Sequence, residues 1–280
     1  MTGTASFTFD TSAGPRSLSV GYARTGTGQP LLLLHGIGHH RQAWDPVVRI
    51  LSGERDVISV DLPGFGESPG LPDGLAYDVR TVAGALAALC SELGVERPHV
   101  AGNSLGGLLA LELGRTGRAR SVTALSPAGF WSGPERRYAF GTLWAMRQGA
   151  RSLPVPLIER LSRSAAGRAA LTSTICARPG RRSPEAVVAE TLALRSATGF
   201  DGTLAAGRNA SFTSDVPGIP VTVAWGTRDV LLPRRQGIRA KRVIPGARLV
   251  RLPGCGHVPM NDDPALVSRV ILDTSHEPMR

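Results

Sequence analysis

Short apolar runs alternate with stretches of helical spacing along most of this chain. The runs are "FTF" (7–9), "LSVGYA" (18–23), "PLLLLHG" (30–36), "DVISVD" (56–61), "PHVAGN" (98–103), "SVTALS" (121–126), "PVTVAWG" (220–226) and "ARLVRLP" (247–253). Most are β-branched or leucine-rich and apolar on both faces, which suits parallel strands buried from both sides. Helices are predicted over Tyr77–Leu93, with Gly94 as its stop, over Leu105–Arg115 and over Pro264–Leu272. The first two runs are expected to pair as a hairpin, and Gly26-Thr27-Gly28 reads as a hairpin turn leading to the third. The alternation predicts an α/β fold: a mostly parallel, eight-stranded sheet with flanking helices.

The rhythm fails between Phe130 and Phe212. No strand candidate interrupts that stretch, and Pro and Gly divide it into several short helices. We therefore expect a core built from residues 1–129 and 213–280, with a helical cap inserted at 130–212. The aromatic residues at the start of the insertion read mainly as the cap's own core. Trp131 and Trp144 are the two expected to face a substrate.

Composition narrows the function classes. With 280 residues, 42% hydrophobic and 19% charged, the chain has the balance of a globular protein. The formal net charge of +10 invites a nucleic-acid reading. However, only Lys241 among the 32 basic residues is a lysine, and the basic residues form no block of five. That pattern reads as a coding bias toward arginine, so neither nucleic acid nor a membrane is expected as a partner. The first ten residues lack the basic and apolar regions of a signal peptide, so the expected location is cytoplasmic. Cys90, Cys176 and Cys255 have no metal-ligand spacing and read as buried apolar residues. No metal or cofactor is expected, and the oligomeric state is left open.

The chemistry gathers at "GNSLGG" (102–107), which fits G-x-S-x-G between a strand and a helix. A serine on so sharp a turn is lifted clear of the sheet, and side chains at Gly102 and Gly106 would collide. Such a hydroxyl needs a base. Asp229 follows the strand "VTVAWG" and His257 follows "RLVRLP", so strand ends would gather both beside Ser104. The turn "HGIG" after the third run places the backbone N–H of Ile37 where an oxyanion would form. The N–H of Leu105 is its partner.

"HGIG", "DLPGFGES", "GNSLGG", "WGTRDVLLP" and "GCGHVPMNDDP", in this order, resemble the α/β-hydrolase family, in particular its cap-bearing esterase and C–C hydrolase-like branch. The resemblance spans roughly Leu31 to Leu272, apart from the insertion. It implies a cofactor-free serine hydrolase with Ser104 as nucleophile, His257 as base and Asp229 as the orienting acid, acting on small or medium carboxylic esters. Relatives with an aspartate nucleophile are disfavoured by Ser104, and an acid after "SVTALS" is disfavoured by Pro127 and Ala128. The alternatives are cleavage of a diketone-type C–C bond, with a cap arginine such as Arg195 on a substrate carboxylate, a perhydrolase, and a non-catalytic ligand receptor. Asp61 reads as a turn former and His35 as a structural histidine. His39 and His40 read as a solvated loop, with the pocket mouth as the alternative, and His99 and His276 carry no motif.

Overall fold

In the computed structural model, residues 1–12 and 14–276 are described. Eight strands form one sheet: β1 (Thr2–Phe9), β2 (Arg16–Thr25), β3 (Gln29–Leu34), β4 (Arg55–Val60), β5 (His99–Asn103), β6 (Ser121–Leu125), β7 (Val221–Gly226) and β8 (Arg248–Leu252). Their spatial order is β1-β2-β4-β3-β5-β6-β7-β8. β2 pairs antiparallel with both β1 and β4, and β3 to β8 run parallel to β4. One strand therefore runs against an otherwise parallel sheet.

β1 begins five residues earlier than its apolar run. Thr2 to Ser6 alternate between exposed and less exposed positions with small side chains, a pattern that an apolar count misses. The segment Gly26–Gly28 is not a hairpin turn, because β4 lies between β2 and β3 in the sheet. Both glycines have positive φ. A Cβ at Gly26 would lie 2.2 Å from the Arg55 carbonyl oxygen, so the segment crosses tightly over the start of β4.

The four leucines 31–34 and every residue of β4 to β7 are buried. Burial from both sides requires helices on both faces. Two of the covering helices, α2 (Val79–Glu92) and α3 (Leu105–Arg115), pack on each other, as do α1 (Asp45–Leu51) and α10 (Pro264–His276). Asp78 caps α2 by accepting from the N–H groups of Arg80 and Thr81, and Gly94 with positive φ ends it as predicted. Between β6 and β7 lie α4 (Gly133–Ser152), α5 (Val155–Ser162), α6 (Ala165–Thr172), α7 (Pro184–Ser196) and α8 (Phe200–Gly207). α5, α6 and α7 pack on one another, and α4 packs on α7. α1 and α9 (Arg235–Val243) had no counterpart in the sequence reading. Among the described residues no helix is long and apolar enough to cross a membrane.

Candidate active site

The turn from β5 into α3 restricts two of its positions to glycine. Ser104 has φ 56° and ψ −114°, a region that L-residues rarely occupy. A Cβ at Gly102 would lie 2.0 Å from the Gly106 carbonyl oxygen, and one at Gly106 would lie 2.0 Å from that of Leu34. Glycine at both positions is therefore a packing requirement of the turn. Its backbone is held by the Ser104 N–H donating to Leu125 at 3.0 Å and by the Ala128 N–H donating to the Ser104 carbonyl at 3.0 Å.

Asp229 lies in the turn after β7 and His257 in the loop after β8. These two segments are fastened together by backbone contacts. The Arg228 N–H donates to Cys255 at 2.9 Å, the Gly254 N–H donates to Thr227 Oγ1 at 2.9 Å, and a Cβ at Gly226 would lie 2.2 Å from the Gly256 oxygen. That fastening brings His257 Nδ1 to 2.9 Å from Asp229 Oδ2, with both side chains buried. The other carboxylate oxygen, Oδ1, accepts from the N–H groups of Leu231 (3.0 Å) and Leu232 (2.8 Å). The acid is thus fixed on two sides, and it fixes the imidazole with Nδ1 protonated and Nε2 free to accept a proton.

Ser104 and His257 line the same cavity, of about 190 Å3, which runs between the sheet and α4, α6 and α7. A second and wider cavity of about 620 Å3 also reaches Ser104. Leu105, Leu108, Glu112 and Arg115 line it from one face of α3, so it follows that helix for about 15 Å. Ser104, Ile37, Leu143 and Leu231 belong to both cavities, and the serine stands at their junction. Leu105 is the first residue of α3, where a helix N–H has no intrahelical partner. Neither its N–H nor that of Ile37 has an acceptor among the described residues.

Trp131 lines the wide cavity, donates from Nε1 to Ala210 at 3.2 Å and stands edge-on to Phe140. Trp144 departs from the expectation. It is 55% exposed and lines neither cavity, because the face of α4 carrying Trp144 is turned to solvent and the cavity side carries Leu143 and Met146. Arg195 also lies elsewhere: it donates to the Leu153 carbonyl at 2.9 Å and lines a separate surface depression.

Asp61 is absent from both cavities. It accepts from the Arg41 and Glu67 N–H groups and pairs with the Arg41 guanidinium, which makes it a turn former as read. His35 is buried between the Gly36 carbonyl (2.7 Å from Nδ1) and the Leu62 N–H (3.0 Å from Nε2). Desolvation pushes its pKa down to about 4, so it is a neutral structural histidine. His39 follows the pocket-lining alternative and not the solvated-loop reading. It is buried and lines the narrow cavity, and desolvation likewise holds it to about 4.

Two further residues build the site without having been singled out. Asn103 is buried and donates from Nδ2 to the carbonyls of His257 (2.8 Å) and Leu125 (3.1 Å). It ties the nucleophile turn to the histidine loop. Asp262 accepts from the N–H groups of Gly256 (2.8 Å), Ala177 (3.0 Å) and Arg178 (2.8 Å), joining the histidine loop to the segment after α6.

A mostly parallel eight-stranded sheet carrying a strained serine on a strand-to-helix turn is the architecture of α/β hydrolases. Residues 31–270 match the family model described as "Alpha/beta hydrolase family", and the chain belongs to that family and is a hydrolase. It is 28% identical over 262 residues to an uncharacterized protein of Mycobacterium tuberculosis, covering 88% of this chain and 76% of that one. It is similar to the structure of a thermophilic esterase from Thermogutta terrifontis, with a TM-score of 0.75, 25% identity and 97% of each chain covered. The fold also matches that of a meta-cleavage product hydrolase from Pseudomonas fluorescens IP01, with a TM-score of 0.72, 20% identity and 96% of each chain covered.

Proposed function

We propose that the protein is a serine hydrolase of carboxylic esters that works through an acyl-enzyme at Ser104. The observation that carries this reading is the hydrogen bond from His257 Nδ1 to the buried Asp229, beside a cavity that both His257 and Ser104 line. His257 Nε2 takes the proton of Ser104 Oγ as the oxygen bonds to the ester carbonyl carbon. The N–H groups of Ile37 and Leu105 hold the resulting oxyanion. The same proton then passes to the departing alcohol, and the acyl group stays on Ser104. Water, deprotonated by His257, releases the acid and restores the hydroxyl. Asp229 keeps the imidazole in the productive tautomer and stabilises its charged form.

The two cavities meeting at Ser104 suit the two halves of an ester. The helices α4 to α8 act as the cap that closes over them, with core 1–129 and 213–280 beneath. The C–C cleavage alternative came with a cap arginine such as Arg195 on a substrate carboxylate. Arg195 lines neither cavity; among the described residues the narrow cavity is lined by no Arg or Lys, and the arginines of the wide one, Arg80 and Arg115, belong to α2 and α3 and not to the inserted helices.

Ser104→Ala is expected to lower kcat on p-nitrophenyl esters by at least about 10^3-fold without changing the melting temperature appreciably. A fluorophosphonate probe should label Ser104 in the folded wild type. Full esterase activity in Ser104→Ala, or an unlabelled Ser104, overturns the proposal.

A further inference from the structure

The narrow cavity is largely lined by Ile, Leu, Met, Ala and Gly, yet its wall includes one ionised side chain, Glu190 of α7. Both Glu190 oxygens are engaged by the guanidinium of Arg182, and both side chains are buried. Burying such a pair is costly, and apolar residues of similar size are often as stable or more so. Arg182 does not line the cavity, so the pair presents its acceptor side inward.

Two neighbouring hydroxyls have the same sense. Thr172 and Thr191 also line the cavity, and their hydroxyl protons are committed to the Arg168 (2.8 Å) and Val187 (2.7 Å) carbonyls. What each hydroxyl has left is an oxygen lone pair. His39 lines the same cavity and is neutral at neutral pH, so it brings no charge to it; its ring has one donor and one acceptor nitrogen.

We propose that the narrow cavity is a subsite for a substrate group carrying a neutral hydroxyl, which donates to Glu190 while Arg182 holds that carboxylate in place. This deepens the ester-hydrolase reading, on which its substrate side rests. The paired charge of Arg182 leaves no net attraction for an ammonium group, and the inward-facing carboxylate repels an anion. At about 190 Å3 the space suits one ring or a short chain, given that a cavity of ~150 Å3 holds benzene. The preferred substrate is thus an ester with a hydroxylated short arm on one side of the scissile bond and a longer arm along α3 on the other.

The experiment compares termini of one length on either side of the ester. The p-nitrophenyl esters of hexanoic, 6-hydroxyhexanoic and adipic acids place the methyl, hydroxyl or carboxylate on the acyl arm. Hexyl and 6-hydroxyhexyl acetate place the methyl or hydroxyl on the alcohol arm. In one of the two series the hydroxyl ester should exceed the methyl ester in kcat/KM by roughly tenfold or more, and where that is the acyl series the adipate should fall below both. In R182M/E190L, which swaps the ion pair for apolar side chains, the hydroxyl-to-methyl ratio should fall to one or below. Thr191→Val, which leaves the ion pair intact, should reduce that ratio if the double variant does not fold. A ratio at or below one in both series, or a ratio unchanged in the variants, overturns the subsite.

Binding decides the question independently of turnover. Phenol should bind S104A protein roughly tenfold more tightly than fluorobenzene, and this difference should vanish when R182M/E190L is added. Equal binding of phenol and fluorobenzene counts against the subsite. Loss of all ester turnover together with an unlabelled Ser104 counts against the hydrolase mechanism instead.

Discussion

Gly106 has no room for a methyl group, because the Leu34 carbonyl would lie 2.0 Å from it and the His35 carbonyl 2.7 Å. Backbone atoms on a central strand cannot yield as a flexible side chain would. Gly106→Ala should therefore destabilise the protein by about 2 kcal/mol or more and abolish turnover by shifting the Ser104 turn. Gly84 in α2 is the matched contrast, since nothing lies within 4 Å of its Cβ position. Gly84→Ala should raise stability by about 0.5 to 1 kcal/mol through helix propensity alone. Thermal melts of the two variants read both effects, and a tolerated Gly106→Ala would remove the packing argument. The placement of Ser104, Asp229 and His257 after strand ends was legible in the sequence because each sits in a local motif. The roles of Asn103 and Asp262 were not, since their work is done on groups far along the chain. Asn103 donates to a carbonyl 154 residues away, and Asp262 reaches back 85 residues to Ala177. Spacing carries no trace of such contacts.

The helices between β6 and β7 show the same division at the next scale. Their existence was predicted by the absence of strand patterns, but the way α4 is held was not. Glu135, in the first turn of α4, accepts from the Ser132 N–H at 2.7 Å and completes a capping box. It also takes the guanidinium groups of Arg235 and Arg239 on α9, and Arg239 Nε donates to the Phe130 carbonyl at 2.6 Å. The inserted helices are thus tied to the sheet domain through an arginine-rich helix that sequence reading passed over. The buried face of α9 consists only of Gln236, Gly237 and Ala240, too few apolar positions to set a period. Glu135→Gln separates the two roles, because glutamine serves a capping box as well as glutamate but cannot pair with arginine. We expect a loss of about 1 to 2 kcal/mol and faster amide exchange along α4, with α2 unchanged. Equal exchange in α4 of both proteins would show that packing alone holds this helix down.

For the whole molecule, the alternating pattern foretold a mostly parallel eight-stranded sheet, and the structure has one. It did not foretell the crossing of β2 to the far side of β4, because strand order depends on long-range pairing that no local window contains. Burial in that sheet has a consequence for pH. His35, His39 and His99 are all buried, and desolvation is the leading cause that lowers each of them from 6.5 to about 4. His99 is held as a neutral ring between Ser121 Oγ and Gln29 Oε1, each at 2.7 Å. Between pH 6.5 and 4 the unfolded chain binds protons at these sites that the folded chain refuses. Stability therefore rises with pH across that window, and the contribution present above 6.5 is lost as pH falls toward 4. Each such histidine adds a slope of up to about 1.4 kcal/mol per pH unit. Urea midpoints at pH 7.5, 6 and 5 should decline accordingly, well before ordinary carboxylates are protonated. His99→Gln removes one titrating ring and should flatten the decline between pH 6 and 5 by up to that amount, whatever it does to stability at pH 7.5. An undiminished slope in His99→Gln would mean that this ring is not refusing its proton, and that carboxylates elsewhere drive the acid response.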